Sequence, residues 1–248
     1  MVPQKKKGTA GPQTFPSTKD EEDSASATKK NELFRFLDLP LELRRKIYYM
    51  TFSTLPAVID LDPYNFAMLK RQKLLSLFCV SRAIYLEATQ HFFSTHTFRL
   101  FPSYPGCYFK TKKLLLARIP SHYRKLITSL ELRVGPGWNH PPRGWVVNDA
   151  LGLIDCQSVR VLKVFVECDP SDAIYEGFRM GDGVYERFSG RLLNSVLTVV
   201  QNIKVVEFDG FSGVKRTGDM MSGLEEVVKI HNKVVGWGPE RGWSEQAD

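Results

Sequence analysis

The chain has 248 residues, a net charge of +7, 43% hydrophobic residues and 12% aromatic residues. These values predict one sizeable globular domain, or a small module joined to a larger one, and exclude a wholly disordered chain. No apolar run approaches the roughly 18 residues of a membrane span, and no apolar segment follows Lys5–Lys7, so we expect no membrane helix and no secretory signal.

The four cysteines (Cys79, Cys107, Cys156 and Cys168) are scattered, and no Cys-x-x-Cys pair occurs. In a chain without a secretory signal, they are expected to be reduced, partly buried thiols. This predicts an intracellular protein, either cytoplasmic or nuclear.

Charge is unevenly distributed along the chain. Residues 31–130 carry fifteen basic and six acidic side chains, whereas residues 131–248 carry thirteen and seventeen. A basic half of this kind favours an acidic partner, which is either a protein or a nucleic acid.

Residues 1–30 are mainly Lys, Ser, Thr, Asp and Glu, and are predicted to form a disordered tail. A helix is then predicted from about Pro40 to Phe52, because Pro40 suits a first turn and Glu42 lies near its positive end. Leu39, Leu43, Ile47 and Met50 recur at helical spacing, and Arg44–Lys46 are assigned to the other face. The simplest interpretation is an amphipathic core helix.

The next elements are predicted from turn signals and periodicity. Residues 55–60 favour a short extended piece, residues 70–93 a second helix, and residues 97–101 a strand that Pro102 ends. A helical pattern over residues 111–119 follows, and Pro120 closes it.

The first two helices together resemble an F-box, as found in a large group of fungal F-box-like proteins. The matching residues are Leu39, Pro40, Glu42, Leu43 and Ile47 in the first helix, followed by Val80, Ser81 and Arg82 in the second. Tyr85 lies one place beyond the usual aromatic position, and the connection from Thr51 to Lys73 is longer than in a compact F-box.

The resemblance implies a non-enzymatic substrate receptor that links a target protein to a cullin-RING ubiquitin ligase. It implies that the helical module holds the acidic adaptor subunit of that ligase. The residues implied in partner binding are Leu39, Pro40, Glu42, Leu43, Arg44, Ile47 and Val80.

A weak internal repeat follows, at Ile127–Leu132, Val159–Val164 and Ile203–Phe208. Each phrase reads apolar-x-x-apolar-charged-apolar, and helical patterns lie between or after the phrases, at residues 146–154, 188–200 and 220–228. Strand–helix units of this kind predict three adjacent parallel strands in chain order. The side chains predicted to point inward are Leu130, Leu132, Leu162, Val164, Val206 and Phe208, and those on the opposite face are Glu131, Lys163 and Glu207.

The repeat phrase resembles the core of leucine-rich repeats in a degenerate form, since the repeats are uneven and lack the usual Asn. The predicted fold class is therefore α+β, with F-box-like helices followed by strand–helix units that form a small, partly parallel sheet. The predicted divisions are a tail at 1–30, a helical module at 31–94, an α/β domain at 95–235 and an irregular tail at 236–248. Trp237 and Trp243 are expected to dock back onto the body.

Long loops are predicted at 135–145 and 168–188, from their Gly, Pro and exposed aromatic residues. If the chain is a receptor, its target is expected to bind there, because recognition is usually carried by loops.

No motif for an enzyme, metal or cofactor is evident. P-loop, Gly-x-Ser-x-Gly and His-Glu-x-x-His patterns are missing from the sequence. His91 and His96 are predicted to lie on different sides of a helix, and the carboxylates of 169–182 are interpreted as a solvated loop. His140 and Cys156 could pair with an acid in a hydrolase-like arrangement, but any chain of this size offers such combinations by chance. We therefore expect no catalysis, no metal and no cofactor.

The alternative function is nucleic-acid binding by the basic half, 31–130. Lys110, Lys112 and Lys113 would meet phosphates, and Tyr108 would stack on a base. An exposed basic face that flanks core residues explains the same pattern.

Overall fold

The computed structural model describes residues 34–60, 74–103 and 116–243. The described residues from Leu37 onward form one compact unit. The described helices are α1 (Leu41–Phe52), α2 (Arg82–Thr95), α3 (Ser121–Arg124), α4 (Val184–Val199) and α5 (Asp219–Ile230). The strands are β1 (Val58–Ile59), β2 (Thr97–Arg99), β3 (Ser129–Val134), β4 (Val161–Val166), β5 (Val205–Gly210) and β6 (Val234–Trp237).

The first helix lies where the sequence predicts it, with one adjustment. Pro40 is the residue before the helix, with a non-helical ψ of 146°, and its carbonyl accepts the N–H groups of Leu43 and Arg44 at 3.1 and 3.2 Å. Leu41 therefore opens α1.

The prediction of one continuous second helix over residues 70–93 is wrong. A 3-10 segment spans Leu74–Cys79, and the chain becomes extended at Ser81 before α2 starts at Arg82. The Ser81 hydroxyl accepts the Ile84 N–H at 3.3 Å, and this satisfies one of the open donors of the helix. The serine of the Val-Ser-Arg phrase is thus a helix cap, and residues 70–73 lie outside the described residues.

All six strands form one parallel sheet in the order β1 to β6. The three repeat phrases give β3, β4 and β5, and their predicted parallel order is confirmed. Residues 55–60 contain β1, and residues 97–101 contain β2. The sheet thus begins within the stretch assigned to the helical module.

The two faces of the central strands differ as predicted. The six side chains predicted to point inward are completely buried, and Glu131, Lys163 and Glu207 lie in register across neighbouring strands on the opposite face. The pleat of a strand enforces this alternation.

Helices α4 and α5 pack on each other and bury apolar sides that complete the core. Both cover the predicted patterns at 188–200 and 220–228. Tyr185, in the first turn of α4, anchors the helix to the end of β3, since its hydroxyl accepts the Gly135 N–H at 2.7 Å and donates to the Pro136 carbonyl at 3.0 Å.

The predicted helix over 146–154 is wrong. Two 3-10 turns, Asp149–Leu151 and Leu153–Asp155, replace it, and Gly152 between them has a φ of +76°. A left-handed glycine cannot continue a right-handed helix, so the apolar periodicity here reflects two separate turns.

The last strand, β6, was not predicted, and Gly236 and Trp237 belong to it rather than to an irregular tail. Trp237 stacks on Arg216 at 4.0 Å, and Trp243 is buried and packs edge-on against Trp237. The expected docking of the two tryptophans is confirmed. The described part of the chain contains no helix long and apolar enough to cross a membrane.

Candidate partner-binding surface

Helix α1 packs on α2 through a polar and aromatic inner face. Arg44 donates to both carboxylate oxygens of Glu87 on α2, at 2.9 and 2.7 Å, and the Tyr48 hydroxyl donates to Glu87 Oε2 at 2.9 Å. Arg44 also donates to the carbonyls of Leu37 and Leu39, which ties down the chain that enters the helix. Phe52, one turn beyond Tyr48, is buried.

The contact shifts the pKa values of Glu87 and Tyr48. The hydrogen bonds from Arg44 lower the pKa of the Glu87 carboxyl, and this effect outweighs the desolvation that would raise it. Burial, followed by the bond to Glu87, raises the pKa of Tyr48 to about 12. At neutral pH the contact is thus a carboxylate held by one guanidinium and one phenol.

An apolar stripe on α1 faces away from this packing. Leu43, Ile47 and Met50 define the outer stripe, which lies at helical spacing on a different side of the helix from Arg44, Tyr48 and Phe52. Leu43 is 48% exposed and Met50 62% exposed, while Ile47 is half-buried. The interpretation of these residues as the inner face of a core helix is therefore wrong.

The other residues implied in partner binding divide into two groups. Leu39 is half-buried, and Pro40, Glu42 and Val80 are exposed, the last at the junction of the 3-10 segment and α2. Arg44 is different, because its guanidinium is occupied inside the protein by Glu87.

The exposed basic charges of α1 come from the two residues that follow Arg44. Arg45 and Lys46 are both exposed. The sequence pattern grouped Arg44 with these two, whereas the structure assigns only Arg45 and Lys46 to the solvent.

An aromatic cluster packs around Phe52 on the inner face of α1. Phe52 contacts Phe78 and Phe92 with ring centroids 6.0 and 5.4 Å apart, and it contacts both His91 and His96 at 6.3 Å. The two histidines, five residues apart at the end of α2, thus meet the same ring and line one cavity, which the helical-wheel argument did not anticipate.

Burial lowers the pKa of His91, and electrostatic interactions with His96 and Arg45 lower it further. Its Nε2 is buried and makes no hydrogen bond within the described structure. A neutral ring is therefore favoured in the folded protein.

The open face of the sheet carries a row of alternating charges. Arg99 on β2 bonds to Asp60 after β1, at 3.0 Å, and to Glu131 on β3, at 2.8 Å. Lys163 on β4 then pairs with Glu207 on β5 at 3.5 Å. Opposite charges on neighbouring strands stabilise the pairing, and they leave few unmatched charges here to bind a ligand.

The two predicted recognition loops meet at the end of the sheet. Trp138 of the 135–145 loop packs on Tyr175 of the second loop with ring centroids 4.9 Å apart. The second loop was predicted to extend to residue 188, but it ends at Gly183 because α4 begins at Val184. Ile174 and Phe178, on either side of Tyr175, are exposed.

Other chemistry finds little support in the described residues. These residues include no group of three His, Cys, Asp or Glu side chains that could hold a metal. Burial raises the pKa of the Cys156 thiol to about 12, so it is a poor nucleophile, and His140 is exposed.

The residues of the nucleic-acid alternative, Tyr108, Lys110, Lys112 and Lys113, lie outside the described residues. Part of the basic charge in the described part of 31–130 is used internally. Arg44, Arg99 and Arg124 all form ion pairs with carboxylates of the same chain. This reduces the positive surface available for phosphates.

Sequence reasoning missed three features of this surface. Leu37 and Tyr49 are further exposed apolar side chains, and Glu87 fixes the rotation of α1. Phe52, a buried aromatic of α1, follows Arg44 and Tyr48 at multiples of four residues, and that spacing was the available signal for the inner face.

No family model matches the chain, and neither the curated proteins nor the solved structures searched include a significant match.

Proposed function

We propose that the chain is a non-enzymatic interaction protein that docks an acidic adaptor subunit on the outer stripe of α1 and presents a target protein to a cullin-RING ubiquitin ligase. The observation that carries the proposal is the exposure of Leu43 and Met50, with Ile47 half-buried between them. If these side chains packed inside the protein, the resemblance to an F-box would have no available surface.

The outer stripe leaves apolar surface exposed to water. Leu43 and Met50 expose about half or more of their surface. Contiguous apolar patches on soluble proteins commonly mark interaction sites. Burying such side chains in a partner contributes roughly 25 cal/mol per Å² of apolar area.

Charge favours an acidic occupant. Arg45 and Lys46 are exposed on the same helix, whereas Arg44 is neutralised by Glu87. Exposed charges at the rim of an interface mainly raise the association rate, and they do so less at high salt. The adaptor is therefore expected to approach the α1 side of the molecule.

In this proposal different parts of the chain bind the adaptor and the target. The helices α1 and α2 hold the adaptor, and the sheet with its end loops holds the target. Ubiquitin transfer is accelerated by proximity alone, so the chain itself contributes no reacting group.

The test is affinity purification of the tagged full chain from its native cell, followed by titration with purified adaptor. Wild type is expected to recover the adaptor and the cullin. Leu43→Asp combined with Met50→Asp should weaken adaptor binding by at least about 100-fold, equivalent to about 2.7 kcal/mol. Both positions are exposed, so the variant is expected to fold.

The matched control is Ile230→Asp, which places the same charge on an exposed apolar residue at the end of α5. It should bind the adaptor as wild type does. Absence of adaptor and cullin from the wild-type purification would end the proposal, as would full binding by the double variant.

A further inference from the structure

The segment after β4 exposes three large apolar side chains within seven residues. Ile174, Phe178 and Met180 are 75%, 70% and 64% exposed, and we call them the 174/178/180 patch. The patch lies at the end of the sheet to which the carboxyl ends of the parallel strands point. It is on a different part of the chain from the outer stripe.

The backbone below the patch is pinned in several places. Asp172 accepts the Ile174 N–H at 3.2 Å and the Lys215 ammonium at 3.0 Å. Tyr175 packs inward on Trp138, and the Phe178 N–H donates to the Tyr175 carbonyl at 3.1 Å. The segment is thus ordered around Tyr175 while its neighbours stay in solvent, so a partner would meet a surface that is already arranged.

The chain segment that carries the patch has a negative net charge. Residues 168–188 carry five carboxylates and only two arginines. Among the described residues, Glu176 and Glu186 have no ion-pair partner, and Asp182 remains exposed beside Arg179. Asp169, Asp172 and Asp219 line a cavity next to Ala173 that contains only one cation, Lys215.

We propose that the 174/178/180 patch binds a basic segment of a partner protein, in which apolar side chains alternate with Lys or Arg. The apolar side chains cover Ile174, Phe178 and Met180. The cations meet Glu176 and Asp182 and the carboxylates of the neighbouring cavity. As the class of target, this proposal rests on the proposed receptor function, but binding itself does not require the adaptor.

The probes are three labelled peptides of equal length. One alternates Lys with Leu, the second replaces Lys by Glu, and the third replaces Leu by Ser. Binding to the full chain is measured by fluorescence anisotropy at low and high salt, with no adaptor present. The Lys/Leu peptide should bind saturably, and its affinity should fall at high salt because the exposed charges are screened.

Two variants locate the site. Ile174→Ser combined with Phe178→Ser should raise the dissociation constant of the Lys/Leu peptide about tenfold or more. Glu176→Lys combined with Asp182→Lys should do the same and should reduce the salt dependence. Val234→Ser, at an exposed apolar residue of β6, is the matched control and should bind as wild type does.

Three results would overturn the proposal. They are equal binding of the Glu/Leu peptide, unchanged binding by both site variants, and no saturable binding of any peptide. Sedimentation of the free protein tests a different occupant, because self-association that Phe178→Ser abolishes would assign the patch to a second copy of this chain. Adaptor binding is measured separately, so failure here leaves that claim intact.

Discussion

The guanidinium of Arg44 holds the carboxylate of Glu87 in two hydrogen bonds, 2.9 Å from Nε to Oε2 and 2.7 Å from Nη2 to Oε1. The contact joins α1 to α2 and fixes the rotation of α1 about its axis. With Arg44 and Tyr48 turned toward α2, the outer stripe is turned toward solvent. The ion pair therefore determines which side chains a partner can reach.

We expect Arg44→Ala and Glu87→Gln to destabilise the protein less together than the sum of the single changes, because each removes the same contact. Urea unfolding of the four proteins of the cycle measures this. Additive effects would show that the two groups do not interact in solution.

The same contact predicts an acid dependence. Because the folded-state pKa of Glu87 lies below 4.5, the carboxylate contributes its full stabilisation above pH 4.5, and this is lost as the pH falls through the lowered value. Thermal unfolding of wild type should therefore be more sensitive to acid than that of Glu87→Gln. Parallel profiles would contradict the shift.

His91 predicts a second pH dependence, near neutrality. Its pKa is lowered in the folded protein, so the unfolded chain binds the proton more tightly, and stability should fall as the pH drops through 6.5. His91→Gln should flatten the stability profile in that range. His140→Gln, at an exposed histidine, is the control and should follow wild type.

Exposure and burial along α1 predict opposite costs of truncation. Phe52→Ala should lower the free energy of unfolding by about 3–5 kcal/mol, because it leaves a cavity in the aromatic cluster. Leu43→Ala should change it by no more than about 0.5 kcal/mol, as for other surface positions. A large loss for Leu43→Ala, measured by urea unfolding, would show that the outer stripe is packed.

The charge row on the sheet predicts the effect of Lys163→Glu. The new carboxylate would lie between Glu131 and Glu207 on the neighbouring strands, so stability should fall by up to about 2 kcal/mol, and less at high salt. Lys204→Glu, just before β5 at an exposed position, should have little effect. Equal losses for the two variants would argue against the row.

The turn after β6 predicts a steric effect at Gly238. A Cβ there would lie 2.3 Å from Asp209 Oδ2, and that carboxylate is held by the N–H groups of Gly210, Glu240 and Arg241 at 2.8–2.9 Å. Since Asp209 cannot yield easily, Gly238→Ala should cost about 1–3 kcal/mol.

The change should also make Trp243 more accessible to a fluorescence quencher. Gly213→Ala is the control, because a Cβ at that glycine meets nothing within 4 Å. Unchanged quenching in Gly238→Ala would show that Asp209 does not hold the end of the described chain.

The sheet could be predicted from the sequence where buried apolar and exposed charged residues alternate along each strand. Leu130, Leu162 and Val206 occupy the same place in each repeat phrase, and the charged residue that follows each of them lies on the open face. A short parallel strand with one buried face carries this signal in its own residues. Helix α4 was readable for the same reason, from the spacing of its buried leucines and valines.

The errors occurred where a single residue outweighs the periodicity. Gly152 separates two turns within an apolar pattern of helical appearance, and Ser81 starts a new helix inside another. Strand β6 has Gly236 in its interior, which hid it from a propensity argument, and its partner β5 supplies the ladder that makes it a strand.

Only part of the candidate surface could be predicted from the sequence. The apolar positions of the outer stripe follow from the motif, but their orientation depends on Glu87, which lies 43 residues from Arg44. An ion pair between residues far apart in the chain produces no local pattern in the sequence. For that reason Arg44 was grouped with Arg45 and Lys46 rather than with Tyr48 and Phe52.

The strand order has a consequence for biosynthesis. Every strand hydrogen-bonds only to the strands before and after it in the chain, so each strand that leaves the ribosome finds its partner already made. The sheet can grow by addition at one edge, and loop closure for each step involves only the chain between two neighbouring strands. On the ribosome, β3 and β4 should therefore pair as soon as both have left the exit tunnel, and the loops at the end of the sheet would take shape before synthesis is complete.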